Sequence, residues 1–156
     1  MQADYDLPIL IVSGSAEHAY EWSRLRADLW PSRSSGYHHD EITAILKQDS
    51  NEVFGFVAQL SDGTLAGFAE ASVRRDYVNG CSSSPVLFLE GIYVDPTYRR
   101  QGIGWALFDA VRSEGRSFAC AEFASDTAID DIGSQAFHKA LGFEETERVV
   151  FFRQTL

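Results

Sequence analysis

The chain has 156 residues, 45% of them apolar, 13% aromatic and 23% charged, which suits a single globular domain spanning 1–156 with one sizeable core. Its 13 Lys and Arg stand against 23 Asp and Glu, a net charge of −10 that disfavours nucleic-acid backbones and anionic membranes and suits a cationic substrate, although many proteins are acidic only for solubility. No apolar run reaches bilayer length, "MQADYDLPIL" has no basic region ahead of an apolar core, and Cys81 and Cys120 lack metal spacing, so a cytoplasmic protein with reduced cysteines and no metal is expected.

In chain order, "LPILIV" predicts a first strand, with Ser13 or Ser15 capping the helix that follows. From Ala16 to Trp30, the positions Ala19, Trp22, Leu25 or Arg26, and Leu29 recur at helical spacing until Pro31 stops them. "SRSSGYHH" reads as a loop, and Asp40 as the cap of a short helix carrying Ile42, Ile45 and Leu46. "EVFGFVAQL" and "LAGFAEASVRR" flank Asp62-Gly63, a hairpin signal. The polar loop "DYVNGCSSSP" leads to the strand "VLFLEGIYV", which Asp95-Pro96 ends. A helix runs from the next turn to about Gly115, with Ile103, Leu107 and Val111 on one face. "FACAEFAS" is apolar enough to predict a central strand, "IGSQAFHKALGF" is a helix closed by Gly142, and "RVVFFRQ" is a last strand. The order β-α-α-β-β-β-α-β-α-β predicts an α/β layered fold with a mixed sheet.

The stretch "YRRQGIG", Tyr98 to Gly104, joins a strand to the start of a helix. Glycines at 102 and 104 let the backbone curl and approach a ligand, and the free N–H groups at the helix start attract an anion such as a pyrophosphate. Arg99 and Arg100 add positive charge. The dinucleotide fingerprint fails because Leu107 stands where its third small residue belongs, and the P-loop fails because no Gly-Lys-Ser/Thr follows. The pattern [QR]-x-x-G-x-[GA], filled by Arg99, Gly102 and Gly104, resembles the acetyl-CoA pyrophosphate loop of the GNAT superfamily of N-acetyltransferases. "FHKALGFEET", about forty residues later, resembles that superfamily's second signature. "DYVNG", "SSPV", "FLEGIYV", "EFASD" and "LGFEETERVVFF", in this order, are similar to the aminoglycoside 6′-N-acetyltransferases of the chromosomal type.

The resemblance implies a GNAT fold, acetyl-CoA as acetyl donor, an aminoglycoside as cationic substrate, antibiotic resistance as the outcome, and a homodimer in which "RVVFFRQ" pairs or exchanges across the interface. It places acetyl-CoA on Ile92, Tyr93, Val94, Arg99, Arg100, Gln101, Gly102, Ile103 and Gly104. It places the aminoglycoside on Trp30, Tyr77, Glu90, Asp126 and Glu147, with Asp126 as the preferred base, Glu90 as the runner-up and His138 as a candidate acid for the departing thiol. Two positions depart from the superfamily pattern: His138 stands where a Tyr is common, and Asp131 replaces an Asn.

The residues carry readings of their own. A carboxylate in the apolar strand, Glu90, needs a cleft or an ion-pair partner. Asp126 follows a strand end, where α/β sheets open to ligand, though "SDTAID" would also allow a turn cap. Gly91 marks either a close backbone approach to the acyl group or relief of crowding in the sheet. Trp30 could be core, Tyr77 is a loop aromatic, and Glu147 could be solvated. No nucleophile–base pair is evident in the sequence, and direct attack in a ternary complex, without an acetyl-enzyme, is what the resemblance implies. The alternatives are acetylation of another cationic amine, such as a polyamine or a protein lysine, and a non-catalytic acyl-CoA-binding module.

Overall fold

A computed structural model describes residues 8–156. Leu7, at the start of the predicted first strand, lies outside the described residues. The elements are β1 (Leu10–Ser13), α1 (Ala19–Leu29), α2 (Ser35–Lys47), β2 (Val53–Gln59), β3 (Leu65–Arg74), β4 (Val86–Val94), α3 (Ile103–Ser117), β5 (Glu122–Ser125) and α4 (Ile132–Ala140). One five-stranded sheet runs in the order β1-β2-β3-β4-β5, antiparallel except for the parallel β4–β5 pair. Among the described residues no helix is long and apolar enough to cross a membrane.

Strand alternation sorts the core onto two faces. On β2 and β3, Val57, Leu65 and Phe68 pack with Trp22, Leu25 and Ile42 of α1 and α2. Their neighbours Ala58, Ala66 and Ala69 pack on the other face with Ile103, Leu107 and Val111 of α3. Along β4 the α3 face is taken by Leu87 and Leu89 and then by Ile92 and Val94, a step of three residues instead of two. The register shifts at that place: Glu70 of β3 pairs with Gly91, and Ala71 pairs with Leu89. Glu90 is the extra residue of a bulge, which turns the strand and puts Glu90 and Gly91 together toward α1.

Three glycines make room for two indoles of α1. A Cβ at Gly14 or Gly55 would collide with the Trp22 ring, and one at Gly91 with the Trp30 ring. Trp22, Arg26 and Trp30 lie four residues apart on one helical stripe, so the sheet is cut back beneath the bulkiest side chains of α1.

Several sequence expectations change. Ser34, accepting from the Tyr37 N–H at 3.1 Å, caps α2 six residues before Asp40, so "SGYHH" is helix. A 3-10 turn over Ala16–His18 precedes α1. The segment "FACAEFAS" contributes only Glu122–Ser125 as strand, and this strand ends the sheet instead of lying at its centre. Its Phe123 stacks on Phe108 of α3 and meets Phe143, which explains an apolar edge strand. "RVVFFRQ" forms no strand: residues 144–156 carry no regular structure, with Val150, Phe151 and Phe152 77%, 85% and 93% exposed. A lone extended segment has no ladder to join unless another chain supplies one. Gly142, at φ +94°, closes α4 with a Schellman pair, Phe143 N to His138 O at 3.1 Å and Gly142 N to Lys139 O at 3.0 Å.

Candidate active site

The parallel β4–β5 pairing covers only Val86–Leu89 against Glu122–Ser125. Beyond it β4 continues for five residues and β5 has ended, so the β5-facing edge of β4 from Glu90 to Val94 has no partner strand among the described residues. At the crotch of this fork the Ser125 hydroxyl lies 3.1 Å from the Leu89 carbonyl and 2.8 Å from His138 Nε2. His138 Nδ1 lies 2.7 Å from the Ser134 carbonyl and so carries a proton. Leu89 pairs with Ser125, and Glu90 and Asp126 are the next residues on the diverging arms, so topology brings the two predicted carboxylates to one mouth.

Their surroundings differ. Both oxygens of Glu90 are engaged: Arg74 Nη2 donates at 2.9 and 3.0 Å, and the Ser72 hydroxyl donates to Oε1. Arg74 in turn lies 3.4 Å above the centre of the Phe88 ring. Asp126 is exposed and makes no side-chain hydrogen bond or ion pair among the described residues, so its oxygens are free to accept a proton.

At the far end of the fork, Asp95 caps a short turn by accepting from Thr97 N at 2.9 Å. Arg99 Nε bonds the Val94 carbonyl at 2.8 Å, which ties this side chain to β4, while Arg100 is exposed at φ +61°. Gly102 stands at φ +77° with nothing within 4 Å of a would-be Cβ, and the first helical bond of α3 is Ala106 N to Gly102 O. The N–H groups of Ile103, Gly104 and Trp105 precede that bond and point out of the helix start. Gly104 has a second reason to be glycine: a Cβ there would press on the Phe137 ring of α4 at 3.1 Å. Gly91 likewise lacks a Cβ because Trp30 occupies its place, so crowding alone accounts for it.

On the α1 face, a cleft of about 370 Å³ is lined by Trp30, Glu90, Glu41, Arg26, Arg33 and His38, with Ser32. Of the predicted substrate residues it gathers Trp30 and Glu90. Tyr77, 76% exposed, and the exposed Asp126 and Glu147 lie outside its lining, although Gly80 of the loop touches Thr146 beside Glu147. That loop is fastened to β5 by Glu122, which accepts from Ser82 N at 2.9 Å and Ser83 N at 2.7 Å. These bonds from Ser83 and Ser82 hold its carboxyl below the usual range. Asp131 caps α4 by accepting from Ser134 N at 2.9 Å, which accounts for it locally. Cys81 and Cys120 are unpaired, and burial pushes both thiols up, away from a nucleophilic thiolate. Among the described residues no group of three His, Cys, Asp or Glu side chains could hold a metal.

Sequence reasoning missed Glu41, Arg26 and Glu70. The signal was present for two of them: an arginine in the buried stripe of α1 and a glutamate in the apolar strand "LAGFAEASV" each demand a partner.

The sheet is thus opened at a parallel pair, with a glycine-led helix start at the far end of β4 and Glu90 and Asp126 on the two diverging arms. The chain belongs to the acetyltransferase (GNAT) family, whose pattern it matches over residues 21–143. It is 47% identical over 137 residues, 88% of this chain and 92% of the relative, to an aminoglycoside N(6′)-acetyltransferase type 1 of Salmonella enteritidis. Among solved structures it resembles the aminoglycoside N-acetyltransferase AAC(6′)-Iy with CoA, with a TM-score of 0.91, 42% identity and coverage of 99% of this chain and 100% of that one. It also resembles AAC(6′)-Iy with the bisubstrate analogue CoA-S-monomethyl-acetylneamine, with a TM-score of 0.88, 44% identity and coverage of 96% and 99%.

Proposed function

We propose that this protein transfers the acetyl group of acetyl-CoA to the 6′-amine of an aminoglycoside in the cytoplasm, and so confers resistance. The fork between β4 and β5 supports this reading, because Glu90 and Asp126 are the first residues of its two diverging arms. The relatives at 40% to 47% identity that bear the aminoglycoside acetyltransferase name support the choice of substrate.

The residues present fit acetyl-CoA. Ile92, Tyr93 and Val94 offer the free edge of β4 to an extended pantetheine arm, and Arg100, Gln101, Gly102, Ile103 and Gly104 surround the helix start that suits a pyrophosphate. Arg99, bonded to Val94, shapes this turn. Bound there, acetyl-CoA supplies an acyl group whose leaving thiol resembles cysteine's, with a pKa of about 8.5, so departure needs little acid help. Asp126 accepts the proton of the substrate ammonium, directly or through water, which frees the amine to attack. Glu90, steadied by Arg74, binds substrate amines together with Trp30, Tyr77 and Glu147. His138, whose Ser125 contact reaches the crotch of the fork, or solvent would supply the proton that the departing thiol takes up. Attack is direct, with no acetyl-enzyme.

We also infer a homodimer. Four exposed apolar residues, Val149 to Phe152, lie in a segment without a strand partner, and β5 ends the sheet, so pairing with a second copy would cover both. Light scattering should give twice the monomer mass.

The reading is tested by thiol release from acetyl-CoA with tobramycin, spermidine or a lysine peptide as acceptor. Release with tobramycin alone is expected; release with spermidine or peptide instead gives the enzyme another cationic amine. Gly102→Val should raise the KM for acetyl-CoA about tenfold with a smaller change in kcat, because a β-branched side chain at positive φ distorts the helix start. An unchanged KM for acetyl-CoA removes the loop from the cofactor site.

A further inference from the structure

Beneath the cleft lies a charged cluster that the reaction above leaves unused. Glu70 of β3 is 3% exposed and Arg26 of α1 is 5% exposed. Glu70 Oε1 accepts from Trp22 Nε1 at 2.8 Å and lies 3.3 Å from Arg26 Nε. The other end of the same guanidinium reaches α2: Nη2 donates to Glu41 Oε2 at 2.9 Å, and Nη1 to the His38 carbonyl at 3.4 Å. Arg26 also lies 5.0 Å from the centre of the Trp30 ring, and His38 Nε2 lies 3.0 Å from the Trp30 carbonyl. Glu41 Oε1 accepts from the Tyr37 hydroxyl at 3.1 Å.

A buried guanidinium needs more than one carboxylate to balance it if either carboxylate is to remain available elsewhere. When ionised, Glu70 neutralises Arg26 from below, so Glu41, whose side chain is 44% exposed, keeps negative charge facing the cleft. Without that charge, Glu41 becomes the sole counter-ion of Arg26, and the cleft presents Arg26 and Arg33 to a polycation.

We propose that Glu70 is a positioning residue for the substrate cleft: acting through Arg26, it holds Trp30 and Glu41 as the cleft's wall. The assignment of an aminoglycoside to this cleft is the reading above, and the proposal rests on it for the kinetic test alone. Burial raises the Glu70 carboxyl to about 7, with Arg26 and the Trp22 N–H opposing and Glu41 and Glu90 adding to the rise. Charged groups face it from α1 (Arg26), α2 (Glu41) and β4 (Glu90), and His38 adjoins Trp30.

The indole N–H signals of Trp22 and Trp30, followed by NMR across neutral pH, read this linkage without substrate. In the wild-type protein both signals should move with one midpoint near 7, and in Glu70→Gln both should stay flat, which separates Glu70 from His38. Glu41→Gln, at a half-exposed position that tolerates change, should silence Trp30 and leave Trp22 titrating. In steady state, Glu70→Gln should raise the KM for the aminoglycoside about tenfold and leave that for acetyl-CoA within about twofold. Pairing it with Arg26→Met should cost little beyond Arg26→Met alone. A Trp30 signal that ignores pH while Trp22 titrates overturns the proposal. So does an equal rise of both KM values, or additive losses in the pair. Should the wild-type protein acetylate no aminoglycoside, the reading of function falls, and the indole signals still decide the coupling.

Discussion

Asp126→Asn will lower kcat at neutral pH by about 10²- to 10⁴-fold, the range for losing a positioned general base, while the KM for acetyl-CoA stays within about twofold. The amide is nearly the same size and cannot take the proton of the substrate ammonium. Glu90 does not replace it, because Arg74 and Ser72 already occupy both of its oxygens. Glu90→Gln should therefore act mainly on the KM for the aminoglycoside. Raising the pH should recover part of the Asp126→Asn loss, since more substrate amine is then neutral without help. A kcat loss in Glu90→Gln equal to that in Asp126→Asn would exchange the two roles. A lost affinity for acetyl-CoA in Asp126→Asn would put the residue outside the amine's path.

Trp22→Ala will destabilise the fold by about 5 kcal/mol, close to the whole stability of a small domain. The ring is fully buried and fills the hollows left by Gly14 and Gly55, so neither strand can close the gap with a side chain of its own. The cavity contributes about 3–5 kcal/mol, and a buried Glu70 robbed of its indole donor adds about 1–3. Trp22→Phe keeps most of the bulk and should cost less than half as much by urea unfolding. Glu70 also gives stability a pH signature. Its folded value is raised from 4.5 to about 7, so its contribution is fully present below 4.5 and lost as pH rises through 7. Relative to Glu70→Gln, the wild-type protein should lose roughly 3 kcal/mol across that window, and no loss would mean that Arg26 offsets the burial in full.

The strands whose ends are marked by turn chemistry were legible from sequence. Asp62-Gly63 and Asp95-Pro96 bound β3 and β4 because each carries its own local hydrogen bond, Thr64 N to Asp62 at 2.9 Å and Thr97 N to Asp95 at 2.9 Å. Glycine and arginine spacing pointed to the helix start of α3 for the same reason, since a φ of +77° at Gly102 is written into the residue type. What sequence left hidden depends on distant partners. Gly91 gave no sign that Trp30 fills its missing Cβ, because the two residues are brought together only when α1 crosses the bulge. Glu41 carries no signal in the sequence, because only the packing of α1 on α2 sets it against Arg26. "RVVFFRQ" has the β-branched and aromatic bulk of a strand, yet pairing needs an edge that the chain's own sheet does not bring to it.

The central claim is acetyl transfer to one particular amine, and paired substrates test it most directly. Purified protein, acetyl-CoA and a thiol reagent are mixed with kanamycin A in one sample and with its 6′-hydroxyl analogue in another. Thiol release with the 6′-amino compound alone is the predicted result. Equal release with both would contradict the assignment of the 6′ position, and release with neither, in a protein that still binds acetyl-CoA, would contradict the aminoglycoside reading itself.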